Sequence, residues 1–436
     1  MRVLISGAGI AGPSLAWFLA KSGAKVTTVE KAQCILPHGQ NIDIQGSARK
    51  VIKKMGLVDE ILRFNTTEKG TQLIDPKGRP FAPFPVQKGN SSGSMSFTSE
   101  FEILRGDLAA VFYKATRNHP NVTYLFDTTV KQVISNDTEE GQCVKVELSN
   151  GEVQTYDLLV LSDGQWSKLR KVCFPAETVK VVDKDMFAVY WTIPRIPSDN
   201  DWWNIYAALG RRLVSLRPDP YGTIRAMFTR MPLNEAHRQE WFMAARGDRK
   251  TQEALLRKEF TDAGWQAQRL LDSIPTAPDF YFQAMQQIKM TKWSTGRIVC
   301  LGDTAYAPTP LTGMGTSLAI NGAYVLAGEL SKLKEGEHPS KAFERYESLF
   351  RPFVEEQQKV PSLLPGFVHP NGAAHRFLIS IMGSALSKVV RTPWLISRLV
   401  GILFDDVDGD DFPLPRYKAF EDEETVEGSG EVDSRA

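Results

Sequence analysis

The stretch "VLISGAGIAGPSLAWFLAKSGAKVTTVE", residues 3–30, constrains this chain more than any other. An apolar run at Val3–Ile5 leads into Gly7, Gly9 and Gly12 in G-x-G-x-x-G spacing, a helix-period stretch follows to Lys21, and a second strand ends on Glu30. Each glycine has its own reason. Gly7 permits the tight turn, Gly9 lets the backbone approach a pyrophosphate, and Gly12 lets the helix pack closely on the strand. The helix N-terminus that opens there favours negative charge. A tight strand–helix turn would explain the glycines but not Glu30, whose carboxylate is placed to accept hydrogen bonds from ribose hydroxyls. The stretch predicts a βαβ unit that binds a dinucleotide, and the acid favours FAD or NAD over NADP as the tightly held one.

A chain of 436 residues points to two or three domains. Its net charge of +1 provides no overall field for nucleic acid or anionic lipid, so a small-molecule partner is the expectation. Cys34, Cys143, Cys173 and Cys300 stand far apart with no CxxC, which argues against a zinc site or a disulfide framework and for a reducing compartment. "MRVLIS" runs straight into the first strand, so we expect no export signal and a cytoplasmic protein. The apolar region Phe377–Phe404 is cut by Lys388, Arg391, Pro393 and Arg398 into pieces too short to span a bilayer; a pair of packed helices is the expectation and membrane contact the lesser one. The end, "EDEETVEGSGEVDSRA", has the composition of a disordered acidic tail.

Two further landmarks choose FAD over NAD. From Asn121 to Leu161 alternating runs flank the turn Asn150-Gly151, predicting an antiparallel meander whose last strand, "YDLLVLSDG", rejoins a parallel sheet and stops at Asp163. The second is "GRIVCLGD", a buried strand ending on Asp303, where open α/β sheets bind ligands and a carboxylate can hold a ribityl hydroxyl. Pro308 and Pro310 then stiffen the path to Gly313 and Gly315, where the backbone can lie against a flat ring as a helix from Thr316 to Lys332 begins. A reduced flavin is anionic along its pyrimidine edge, and a helix N-terminus stabilises such charge.

"SGAGIAG…E", "LRGDL" (Leu104–Leu108), "LSDGQWSKLRK" and "LGDTAYAPTPLTGMGTSLAINGA" together resemble the single-component FAD monooxygenases of the para-hydroxybenzoate hydroxylase family, over most of residues 1–360. "NIDIQGSARKVIKKMGL" is closest in look to tetracycline destructases and tailoring hydroxylases of secondary metabolism. The resemblance implies an α/β fold with a discontinuous Rossmann-like FAD-binding domain (1–62, 98–178 and 290–360). It further implies an antiparallel-sheet substrate domain (63–97 and 179–289), a C-terminal helical region (361–420) and the tail (421–436). It implies that Gly7, Gly9, Ala11, Gly12, Glu30, Lys31, Asp43, Arg105, Asp163, Asp303, Gly313, Gly315 and Thr316 hold FAD. It maps substrate contacts onto Tyr190, Arg212, Arg225, Leu311 and Gly313.

The activity so implied is hydroxylation of an electron-rich phenol, enol or indole: NADPH or NADH reduces FAD, and oxygen reacts to a flavin hydroperoxide that transfers hydroxyl. A second G-x-G-x-x-G is absent, as expected if the nicotinamide cofactor visits a surface groove and leaves. No Ser-His-Asp set or metal cluster is legible. "VYWTIP", Val189–Pro194, partly matches the WxWxIP motif of flavin-dependent halogenases, with Val189 where a tryptophan belongs; it reads as a strand ending at proline. A halogenase, an alkene epoxidase and a non-enzymatic FAD-binding redox regulator are the alternatives. Trp202 and Trp203 are adjacent strand residues, so one must face away from any pocket.

Overall fold

A computed structural model describes residues 1–36, 39–86, 99, 101–136, 143–360, 364–392 and 411–421. The first strand, Arg2–Ser6, lies at the heart of a six-stranded sheet. Its neighbours are Lys25–Val29 on one side and Leu158–Leu161 on the other; Val122–Leu125 and Ile298–Cys300 follow outward, all parallel, and Ser294–Thr295 adds an antiparallel edge. Helices cover both faces, so these strands read as unbroken apolar runs: Val3, Leu4, Ile5 and Leu158–Leu161 are all fully buried. The helices Ala11–Lys21 and Gly315–Ser331 pack on each other, with Phe18 edge-on to Tyr324.

The sequence expects everything from Asn121 to belong to the meander, but Val122–Leu125 pairs in parallel with Lys25–Val29 instead. The helix Arg105–Thr116 returns the chain beside that edge, and only Val130–Asn136, Val144–Leu148 and Val153–Tyr156 form the separate antiparallel sheet.

The second large sheet has seven strands in the order Phe280–Met290, Val179–Pro194, Thr223–Arg230, Arg212–Pro218, Trp203–Ala208, Gly70–Ile74 and Pro80–Pro85. It is antiparallel except where Gly70–Ile74 runs parallel to Trp203–Ala208. Alternation sorts its side chains. One face carries Trp191, Tyr206, Val214, Phe228 and Phe282 against the helices Glu235–Arg246, Arg249–Phe260 and Ala267–Ser273. Phe228 stacks on Phe260 with centroids 4.0 Å apart. Trp191 of "VYWTIP" belongs to this face, fully buried, its indole N–H donating to Ser273 at 2.9 Å, and its strand ends at Pro194. The opposite face, with Met186, Ala188, Tyr190, Thr192 and Arg225, turns toward Leu311, in the segment that follows the strand Ile298–Cys300.

Of the helix pair expected over Phe377–Phe404, the first is present as Ala373–Val390, lying on Pro80–Pro85, and the second falls outside the described residues; a short helix, Leu364–Val368, precedes them. Residues 411–421 depart from the expected helical region: only Lys418–Phe420 forms one short helical turn. This piece is fixed by burial rather than helicity, with Phe420 against Phe18 and Tyr417 over Gly328. The expectations for residues 87–98, 393–410 and 422–436 fall outside the described residues.

His369 ties the short helix Leu364–Val368 to the sheet. Its Nδ1 bonds the Pro365 carbonyl at 2.6 Å and its Nε2 bonds the Thr229 hydroxyl at 2.7 Å. Burial is the main cause that lowers its pKa from 6.5 to about 4, with the charges of Arg211 and Arg230 adding to it. The unfolded chain therefore takes up a proton before the folded one. Stability is full above about pH 6.5 and is expected to drop by on the order of 3 kcal/mol as pH falls to about 4. Thermal melts across this range check the slope, which His369→Gln should flatten.

Candidate active site

The first glycine turn is built as its spacing demands. Gly7 has φ +111°, and a Cβ there would lie 2.6 Å from the Ser162 carbonyl oxygen. A Cβ on Gly12 would stand 2.0 Å from the Gly7 carbonyl oxygen. Glu30 closes the turn: its two carboxylate oxygens accept the N–H groups of Ala8 at 2.9 Å and Ala32 at 3.0 Å. Each oxygen keeps a lone pair free for a hydroxyl. Lys31 beside it is exposed, and Ala11 packs within 3.1 Å of the Cβ position of Gly302.

Opposite Gly9 stands Arg105, a guanidinium nitrogen 3.4 Å from the Cβ position of that glycine. Its backbone is held by the Gln40 carbonyl at 3.0 Å and by Gly39, whose φ of +139° lets the chain pass against Arg105 Cβ. Among the described residues its guanidinium makes no hydrogen bond or ion pair. Asp303 is close enough for mutual attraction, but burial is the larger effect and raises its carboxyl pKa. Asp303 itself is open to water.

The second glycine cluster continues the line. The Cβ position of Gly315 is 3.7 Å from Asp303 Oδ1, and that of Gly313, at φ +68°, is 3.5 Å from Gln45 Nε2. The helix Gly315–Ser331 starts one residue earlier than expected and has no side-chain cap, so Thr316 sits in an uncapped first turn. Ser317 accepts the Gln45 N–H at 2.9 Å and Asn321 donates to Ser47 at 2.8 Å, fixing the 43–47 segment on this helix. Asp43 lies on that segment, its carboxyl accepting the Ser99 hydroxyl; burial raises its pKa. Asp163 stands on the other side: Ser167 donates to it at 2.8 Å, and Thr304 bonds Gly164 N–H at 2.9 Å, joining the two strand ends. Burial raises the pKa of Asp163 too. Arg170 is buried there by bonds to the Thr304 and Gln165 carbonyls at 2.6 and 2.8 Å.

Of the five substrate candidates, Tyr190 and Leu311 pack together with Met186, Met231 and Met285 on the sheet face turned toward this groove. Burial raises the Tyr190 phenol well above its usual range. Gly313 is one turn along. Arg225 shares their face but its charge is taken by Asp219 at 3.1 Å and Asp279 at 3.0 Å. Arg212 needs correction: it lies on the helix-covered face, bonded to Asp262 and the Glu259 carbonyl and lying over Phe260. In register it pairs with Arg230, which shares that face, whereas a pocket residue would share the parity of Tyr190. Trp203 is the member of the tryptophan pair on the groove face. Its indole N–H donates to Ser215 at 2.6 Å, and Arg217 stacks 4.2 Å above it.

Sequence reasoning missed several residues here. Tyr281 pairs in register with Tyr190, bonds Trp166, and lies near Arg105 and Asp303; its one signal is a tyrosine out of step with the buried positions of "FYFQAM". Arg217, clamped by Glu68 and Glu102, had no local signal, since its partners lie 149 and 115 residues away.

Two glycine turns joined by Arg105 and Asp303, with strand-end acids at both ends and the seven-stranded sheet facing the second, define the class: an α/β protein with the features of a dinucleotide site. The comparisons narrow this. The chain belongs to the family described as FAD binding domain, which matches residues 1–359. A monooxygenase of Cercospora beticola, CTB7, is 35% identical over 366 residues, covering 83% of this chain and 85% of that protein. FAD-dependent monooxygenase asL6 of Sarocladium schorii is 30% identical and covers 97% of this chain and 99% of its own length. Among solved structures, tetracycline destructase Tet(55) superimposes with TM-score 0.73 at 28% identity, covering 95% of this chain and 98% of that one. Klebsiella pneumoniae HpxO complexed with FAD and uric acid, at 19% identity and TM-score 0.65 over 92% of this chain and 97% of that one, shares the fold. The chain is thus an enzyme, an FAD-dependent monooxygenase.

Proposed function

We propose that this enzyme uses NADPH or NADH and oxygen to hydroxylate an electron-rich, uncharged small molecule, of the kind modified in secondary metabolism. One observation carries the reading: the groups from Glu30 through Gly9, Arg105, Asp303 and Gly315 to Gly313 adjoin one another in the order of a dinucleotide's parts. The residues suit FAD. Glu30 takes the adenosine ribose, Arg105 and the Gly9 backbone the pyrophosphate, and Asp303 a ribityl hydroxyl. The uncapped helix start at Gly315 would stabilise negative charge on the ring. When bound, FAD supplies oxygen activation; this chain supplies position, exclusion of water and proton control.

The methionine-rich wall around Tyr190 and Leu311 adapts to irregular apolar shapes. With Arg225 neutralised by two acids and Arg212 on the far face, neither arginine is available to fix a substrate carboxylate. Likeness to tetracycline destructases supports a polycyclic phenol or enol. Purified enzyme should oxidise NADPH faster when a panel of polycyclic phenols, enols and indoles is added, with a product heavier by one oxygen atom. Oxidation that no panel member stimulates, yielding only hydrogen peroxide, would count against the substrate class.

A further inference from the structure

Between the two prolines of "APTPLTG", residues 307–313, the backbone takes a conformation that threonine resists. Thr309 has φ +78° and ψ +144°. Five other non-glycine residues have positive φ among the described residues, and none reaches so high a value. The ψ is what Pro310 demands, since the residue before a proline is driven to extended values. The φ is not. A β-branched side chain at positive φ is a strained outlier that persists only where its surroundings over-determine it, and such outliers gather at functional sites.

The surroundings here are two glutamines, 1% and 3% exposed, that come from separate elements. From the strand Phe280–Met290, the Gln287 side-chain amide donates to the Pro308 carbonyl at 2.9 Å and to the Gln358 carbonyl at 2.7 Å. Gln358 follows the helix Ser340–Gln357 and donates its own amide to the carbonyls of Ile288 at 2.8 Å, Tyr306 at 3.1 Å and Ala307 at 3.3 Å. Each carbonyl from Tyr306 to Pro308 is thus tied down immediately ahead of Thr309. Beyond it the turn closes on itself: the Thr312 N–H and hydroxyl donate to the Thr309 carbonyl at 3.2 and 3.1 Å, and the Gly313 N–H donates to the Pro310 carbonyl at 3.1 Å. The turn so set carries Leu311 to Tyr190 and Gly313 to Gln45, while Pro308 lies 3.9 Å from the Cβ position of Gly315.

We infer that Gln287 and Gln358 are positioning residues: they hold Thr309 against its backbone preference and so fix the Leu311–Gly313 turn between the flavin ring and the methionine-rich wall, a role that rests on the proposed placement of FAD. The strain supplies the test. Glycine adopts φ +78° freely, so it should restore what loss of the clamp destroys. In FAD-loaded Gln287→Met, hydrogen exchange of the Thr312 and Gly313 amides should quicken by about tenfold or more, and the visible absorbance of the bound flavin should shift. Gln287→Met/Thr309→Gly should return both toward wild type, and Thr309→Gly alone should change neither. A glutamine that served stability alone would lower the melting temperature without any such rescue. The inference is overturned if glycine leaves exchange as fast as in Gln287→Met. It is equally overturned if a crystal structure of the wild type, decisive even where Gln287→Met does not fold, finds Thr309 at negative φ. Exchange that responds while the flavin spectrum is the same in all four proteins would uphold the clamp and count against the placement of the ring beside Gly313.

Discussion

Gly12→Ala is expected to emerge colourless and with a much lower melting temperature, whereas Gly9→Ala, three residues earlier, should fold normally and lose only affinity for FAD. The added methyl at position 12 meets the Gly7 backbone, its carbonyl oxygen at 2.0 Å and its carbonyl carbon at 3.2 Å, as well as the Ser162 hydroxyl at 3.0 Å. The Gly7 backbone cannot yield without lifting the helix Ala11–Lys21 off the strand below it. Overpacking of this kind costs about 1–3 kcal/mol or more and distorts the first glycine turn. At position 9 the methyl meets only the end of Arg105, at 3.4 Å, a flexible side chain that can yield. Melting curves of apo and FAD-loaded protein, with visible flavin absorbance, separate the two. Equal melting temperatures for both apo variants would mean that Gly12 serves the cofactor and not the packing.

Removing the Arg217 charge is expected to be the most damaging change in the second sheet. Arg217 donates to Glu68 at 2.8 and 2.9 Å and pairs with Glu102; both acid side chains are almost wholly buried. Arg217→Met would leave two enclosed carboxylates without their cation, a loss of about 3–5 kcal/mol. The pH dependence has a definite sign. Burial raises the Glu68 pKa, so the folded form holds its proton more tightly than the unfolded chain, and this contribution is fullest at low pH and is lost as pH rises. Without Arg217 that imbalance grows. The gap in denaturation midpoint between wild type and variant should widen from about pH 5 to about pH 8. A gap that stays constant would indicate lost packing on Trp203 rather than stranded charge.

What could be read in advance followed the range of the interactions. The glycine turn, Glu30, and the strands ending at Asp163 and Asp303 each leave a pattern within a few tens of residues, because close backbone approach permits so few residue types. The two faces of the seven-stranded sheet were harder. Arg212 and Arg225 both look like cations on alternating strands, and only the register with Arg230 and Thr192 puts one under the helices and the other toward the groove. Arg217 with Glu68 and Glu102, or Ser317 with Gln45, depend on contacts across more than a hundred residues and leave no local trace. The strand Val122–Leu125 was misassigned for the same reason: its alternation suits a meander, and its parallel partner was set by the returning helix.

Strand order in the six-stranded sheet bears on how the polypeptide is made. Arg2–Ser6 is made long before its neighbour Leu158–Leu161 and the next strand out, Ile298–Cys300. Phe18 waits for Phe420, about 400 residues downstream, to cover it. The nascent N-terminal third therefore has an unfinished sheet edge for most of synthesis, a burden for chaperones that grows with slow translation. On the proposed placement of FAD, cofactor capture belongs to the last stage of that process, since Glu30 and the turn at Gly313 are made far apart in time.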